Sequence, residues 1–195
     1  GLMSGAAFAL FYTFLGIPIA RLADRGSRTW IMTGALAIWS GFTALCGQAQ
    51  SFLQLFVARV GVGVGEAGGV APAFSLISDY FPPRQRARAL AVFSFGVPIG
   101  SGLGTLLGGL VASAVDWRVA FLSVGVGGLL LAPLFRLTVR EPVRGALDAL
   151  PGSPPVARSS FPDALRLLAR KRSFLLLTLG ASSSSVVGYG LLFWT

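Results

Sequence analysis

Residues 29–58 read TWIMTGALAIWSGFTALCGQAQSFLQLFVA, thirty positions without a charged side chain. A bilayer core of about 30 Å is crossed by about 20 apolar helical residues. The run is therefore longer than one crossing. Its uncharged polar stretch at 47–51 divides it into one span and the start of the next. Working outward, further charge-free runs occupy 1–20, 89–115, 119–135 and 173–195. Residues 52–80 are apolar apart from Arg59, Glu66 and Asp79. The pattern predicts six spans, at about 1–20, 29–47, 52–80, 87–115, 117–138 and 173–195. The runs are too long, and lack the period-two alternation, for strands of a barrel. The predicted fold class is an all-α membrane protein.

Composition agrees. The 195 residues are 54% hydrophobic and 12% charged, with a mean hydropathy of +0.75. Soluble domains carry about 25% charged residues, and disorder requires the opposite balance. The 26 glycines suit closely packed membrane helices. There is no histidine, which removes imidazole acid–base chemistry and most zinc sites. The single cysteine, Cys46, sits in an apolar run and reads as a small core residue. The chain opens and stops inside apolar runs, so it reads as a window cut from a longer protein.

The net charge of +9 is sorted along the chain. Arg21, Arg25 and Arg28 fall in one loop, and Arg84, Arg86 and Arg88 in another. Residues 136–172 hold seven arginines and Lys171. That puts 14 of 16 basic residues on one side, Arg118 on the other and Arg59 within a span. The bias places the loops at 21–28, 82–88 and 139–172 in the cytoplasm of a cell with an inner membrane. It accounts for the charge without nucleic acid. Residues 139–172 read as a linker, proline-rich as far as Pro162. It ends in a short amphipathic helix with Leu165, Leu167 and Leu168 on the membrane surface and Arg166, Arg170, Lys171 and Arg172 toward phosphates. The domain reading is 1–138, a cytoplasmic 139–172, and a further span at 173–195.

Motifs narrow this. Ala20-Arg-Leu-Ala-Asp24-Arg25-Gly-Ser-Arg28 resembles the loop between spans two and three of the major facilitator superfamily. Arg59-Val-Gly-Val-Gly63-Val-Gly65 resembles its fourth-span motif. Trp117-Arg118-x-x-Phe121 resembles the start of span six, and Thr138-Val-Arg-Glu141-Pro142 its exit. Within the superfamily the chain is similar to spinster-type transporters, through 16–26, 59–67 and Asp79-Tyr-Phe-Pro-Pro-Arg84. The resemblance implies spans two to seven of twelve in a secondary transporter. It implies no enzyme activity and no cofactor. Animal members of that type move sphingolipid or lysophospholipid species. The implied partners are a small or lipid-like substrate, protons and membrane lipids. A non-transporting receptor or scaffold of the same fold, and an uncoupled facilitative carrier, remain alternatives.

Arg59 and Glu66 draw attention because a charge at the bilayer centre costs about 2.5–3.5 kcal/mol. Seven residues apart, they project from one helical face about 10 Å apart. Glu66 lies about 21 Å in from Phe52, at the depth of transporter sites. A buried carboxylate can take a proton from one side and release it to the other, and an arginine can tune it or hold an anion. Asp24 and Arg28, four apart at a helix end, have a spacing that lets them interact. The resemblance makes Asp24, Arg25 and Arg28 a gating loop that bridges to the other half of the protein. Gly63, Gly65, Gly96, Pro98, Gly100, Gly104 and Gly108 read as helix-packing or conformational positions. Ser182–Ser185 and Tyr189 could offer hydroxyls to a cavity, though helical serines also bond their own backbone.

Overall fold

The computed structural model describes residues 6–148 and 161–194, with side chains described over 12–148 and 161–187. Most of the proline-rich stretch before Phe161, and the Tyr189 side chain, lie outside the described residues. The described elements are α-helices: α1 (Ala6–Arg25), α2 (Arg28–Gln48), α3 (Phe52–Glu66), α4 (Val70–Tyr80), α5 (Pro83–Ala114), α6 (Trp117–Thr138), α7 (Phe161–Arg170) and α8 (Arg172–Trp194). Among the described residues, four stretches are long and apolar enough to cross a membrane: α2, α3 with α4, α5 and α6. The chain divides into two compact units, Gly1–Ala149 and Leu150–Thr195.

Short polar side chains set the helix starts. Ser27 accepts from the Trp30 amide at 3.4 Å and opens α2, and Ser51 accepts from the Gln54 amide at 3.3 Å and opens α3. Asp116 does the same for α6 through the Arg118 amide at 3.1 Å. Pro83 begins α5, where its missing N–H is harmless.

The stretch expected as one helix over 52–80 is broken between α3 and α4. Gly68 and Gly69 donate only three residues back, to the carbonyls of Gly65 and Glu66, at 3.0 Å each. Pro72 has no N–H to return to the Gly68 carbonyl, and the two glycines offer little resistance to unwinding.

In the first unit α2 runs between α3 and α6, while α1 lies against α3 and α4 and α5 against α6 and α4. Glycine lets α2 approach closely on both sides. A Cβ on Gly65 would stand 2.5 Å from the Trp39 amide nitrogen, and one on Gly68 2.8 Å from the Ala35 Cβ. Toward α6, a Cβ on Gly125 or Gly128 would collide with Ala44 or Ser40. Cys46, Ala58 and Val62 form the buried centre, with Trp39, Phe42, Leu55 and Phe121 around it.

The α5 glycines behave differently. Gly96, Gly100, Gly104 and Gly108 meet nothing within 4 Å, and α5 holds no buried residue. Their spacing marks a stripe that no described neighbour covers. Gly65→Ala is expected to lower the thermal midpoint of the detergent-solubilised protein, because the atom in the way is backbone; overpacking costs about 1–3 kcal/mol. Gly100→Ala is expected to leave it unchanged or raise it, since the Cβ enters open space and alanine is the better helix former. Equal midpoints for the two variants would refute this division of roles.

Candidate functional site

Arg59 and Glu66 are both half-buried on α3. Ala58, Val62 and Gly65 turn toward α2, and the two charged residues share a face about a quarter-turn away. Among the described residues neither makes an ion pair or a hydrogen bond. Their charges act on each other through space rather than by contact. Glu66 is the last residue of α3, immediately before the unwound backbone at 67–69. Gly63, between the two charges, is buried.

The basic ends of the helices carry a second cluster, denser than the sequence indicates. Arg28 is 1% exposed. Its Nη1 pairs with Asp79 and donates to the Ser75 hydroxyl at 2.8 Å; its Nε donates to Glu141 at 2.8 Å, and its Nη2 to the Pro142 carbonyl at 3.2 Å. The expected Asp24–Arg28 interaction does not form. Gly26 and Ser27 end one helix and start the next, so the two residues do not share a turn. The Asp24 side chain is exposed, with no hydrogen bond or ion pair among the described residues. Arg25 is exposed as well.

The start of the expected linker is fastened to this cluster. Arg144 donates to the carbonyls of Ala23, Asp24 and Gly26, where α1 runs out of partners for its last turn. Gly145, at φ +66°, presents its amide to Asp79 at 3.0 Å. Tyr80 donates to the Arg140 carbonyl, and Arg86 pairs with Asp148 at 2.8 Å. One short segment thus holds the ends of α1 and α4 and the starts of α2 and α5.

Glu141 lies at the N-terminus of α2, where the helix dipole favours an anion. It accepts from the Thr29 amide and the Ser27 hydroxyl at 2.9 Å each, and from the Thr29 hydroxyl at 3.1 Å. Burial pushes its carboxyl up. The Thr29 amide and the Arg28, Ser27 and Thr29 side chains outweigh burial and hold it at about 2. A carboxyl held this low stabilises the fold fully above its ordinary pKa of about 4.3, and that stabilisation fades as pH falls toward 2. The wild-type thermal midpoint is expected to drop between pH 5 and pH 2, the window in which this carboxylate takes up its proton. A Glu141→Gln protein, less stable at neutral pH, should lose less across the same window. Parallel profiles for the two proteins would contradict it.

Helices long enough to span a membrane, a broken span carrying an ionisable pair, and an arginine-centred cluster at the basic ends together define a helical bundle of the membrane-spanning class. The chain belongs to the major facilitator superfamily, whose family description it matches over residues 1–195. Within it the chain is spinster-like. It is 38% identical to a Mycolicibacterium smegmatis protein named MFS-type efflux pump, over 98% of this chain and 43% of that one. It is 39% identical to mouse protein spinster homolog 1, over 96% of this chain and 36% of that one. A crystal structure described as a bacterial homolog of the human lysosomal transporter Spinster, inward-facing and unoccupied, superposes with a TM-score of 0.76 at 40% identity. That match covers 98% of this chain and 45% of the other. The chain therefore spans less than half the length of these relatives.

Proposed function

We propose that the protein is a proton-coupled secondary transporter that moves an amphipathic organic or lipid-like molecule by alternating access. Glu66 carries the proton, and Arg59 is its coupling partner or the clamp for an anionic head group. The observation that carries the reading is the placement of Glu66 at a break in an apolar span, half-buried and without a paired cation among the described residues. Discontinuous helices at mid-membrane are where transporters hold ions and substrates. Asp24, left exposed while Arg144 fixes its backbone, is the group available to latch the basic side against the rest of the protein. Arg25 and Arg28 complete that gate, Arg28 from within the cluster. Gly96, Pro98, Gly100, Gly104 and Gly108 supply a smooth face for a sliding contact, with Gly63 and Gly65 fixing the packing of α3. The protein resides in the cytoplasmic membrane with its basic loops inside, and the efflux activity named for the mycobacterial relative sets export as the first direction to test.

The test is flux in liposomes. Purified protein should drive uptake or efflux of lysolipids or amphipathic drugs when a pH gradient is applied, and a protonophore should abolish it. Downhill flux insensitive to the gradient would make it a facilitative carrier, and no flux of any candidate would favour a receptor or scaffold.

A further inference from the structure

The second unit contains a feature that transport chemistry does not use. Helix α7 spans Phe161–Arg170, and α8 begins at Arg172, leaving Lys171 as the whole connection. The corner is tight. The Lys171 amide donates to the Leu168 carbonyl at 3.0 Å, and the Lys171 carbonyl accepts from the Leu175 amide at 3.2 Å. Hydrogen bonding thus passes from one helix to the next through a single residue.

At 100° per residue, Phe161, Ala164, Leu165 and Leu168 fall within one arc of α7 of about 100°. Leu165 is 57% exposed and Leu168 37%. Leu167, expected beside them, falls about 100° from Leu168 on the flank. Arg166 and Arg170 occupy the opposite arc, Arg166 with Asp163 at 3.3 Å. At the corner Arg170, Lys171 and Arg172 stand consecutively, and the next 23 residues carry no charge. The corner is where a strongly two-faced helix meets one that is uncharged beyond its first residue. An apolar arc, a cationic arc and a cation triplet at the mouth of an apolar helix need two media within one helix diameter. A bilayer interface with anionic headgroups supplies both.

We propose that α7 lies in the membrane interface on the basic side and that Arg170, Lys171 and Arg172 form a site for the phosphates of anionic phospholipids. Arginine suits phosphate because its planar fork donates two bonds at once. The site is independent of proton coupling and stands whether or not Glu66 carries a proton.

Two measurements on the intact protein in nanodiscs test it. In a Cys46→Ala background, an environment-sensitive probe at Leu168→Cys should be quenched by lipid-borne nitroxide, and the same probe at Asp163→Cys by an aqueous quencher. Aqueous quenching at both positions, or no lipid quenching at Leu168→Cys, overturns the interfacial placement. Native mass spectrometry with mixed phosphatidylglycerol and phosphatidylcholine should show phosphatidylglycerol retained preferentially. Preference should fall about fivefold for each cation lost in Arg170→Gln and Lys171→Gln, while Lys171→Arg retains it. Equal retention of the two lipids by the parent protein, or preference unchanged in both glutamine variants, overturns the headgroup site.

Discussion

Arg28→Ala is expected to destabilise the first unit by about 3–5 kcal/mol, the cost of removing one partner from a buried ion pair. The reason is the set of acceptors left behind. Asp79, Glu141, the Ser75 hydroxyl and the Pro142 carbonyl all converge on one guanidinium that is 1% exposed. Removing it leaves two carboxylates close together with no cation between them. Arg28→Lys should recover little, because an ammonium is a single point of charge and cannot reach acceptors on four sides. Restoration is expected from the opposite direction. Adding Asp79→Asn and Glu141→Gln to Arg28→Ala removes the stranded charges and should return part of the loss. Thermal midpoints of the four proteins in one detergent give the result. An Arg28→Ala protein melting with its parent would mean the cluster contributes nothing to stability.

The helices were legible because membrane crossing leaves a coarse signal. Runs without charge mark them; Ser27 and Asp116, which open α2 and α6, stand at the edges of those runs, and Ser51, which opens α3, ends the polar stretch that divides 29–58. The break after Glu66 was written in Gly68, Gly69 and Pro72, but an apolar pattern runs straight through it and hides it. The cluster at the basic ends was less legible, since its partners lie far apart in sequence, 51 residues for Arg28 with Asp79 and 113 for Arg28 with Glu141. Glu141 reaches Ser27, Arg28 and Thr29, and Arg144 reaches the end of α1. Spacing along one helix could not find such pairs, and it suggested Asp24 with Arg28 instead. A sharper signal was available in the charge pattern. Basic residues alone suffice to orient the spans, so every acid in those loops calls for a separate reason. By that logic Asp24, Asp79 and Glu141 all stand out, and the last two are the acids that meet Arg28.

Glu66→Gln is expected to abolish accumulation driven by a pH gradient while leaving the protein inserted and folded. The substitution keeps the size and hydrogen-bonding reach of the side chain and removes only its ability to exchange a proton. With one proton per substrate, each pH unit supplies about 1.4 kcal/mol, or about tenfold accumulation. The variant should reach no accumulation at any gradient, yet still exchange labelled for unlabelled substrate when no gradient is imposed. That split separates lost coupling from lost structure. The Arg28 cluster supplies the control, because thermal stability rests on Arg28, Asp79 and Glu141 at the basic ends, away from the substitution, and should match the parent's. Arg59→Gln should divide differently. If Arg59 clamps an anionic head group, both exchange and accumulation weaken; if it only tunes Glu66, exchange persists and the pH at which coupling sets in moves. A Glu66→Gln protein that still concentrates substrate against its gradient would place the proton elsewhere. The charge on this span would then have to be explained by packing alone.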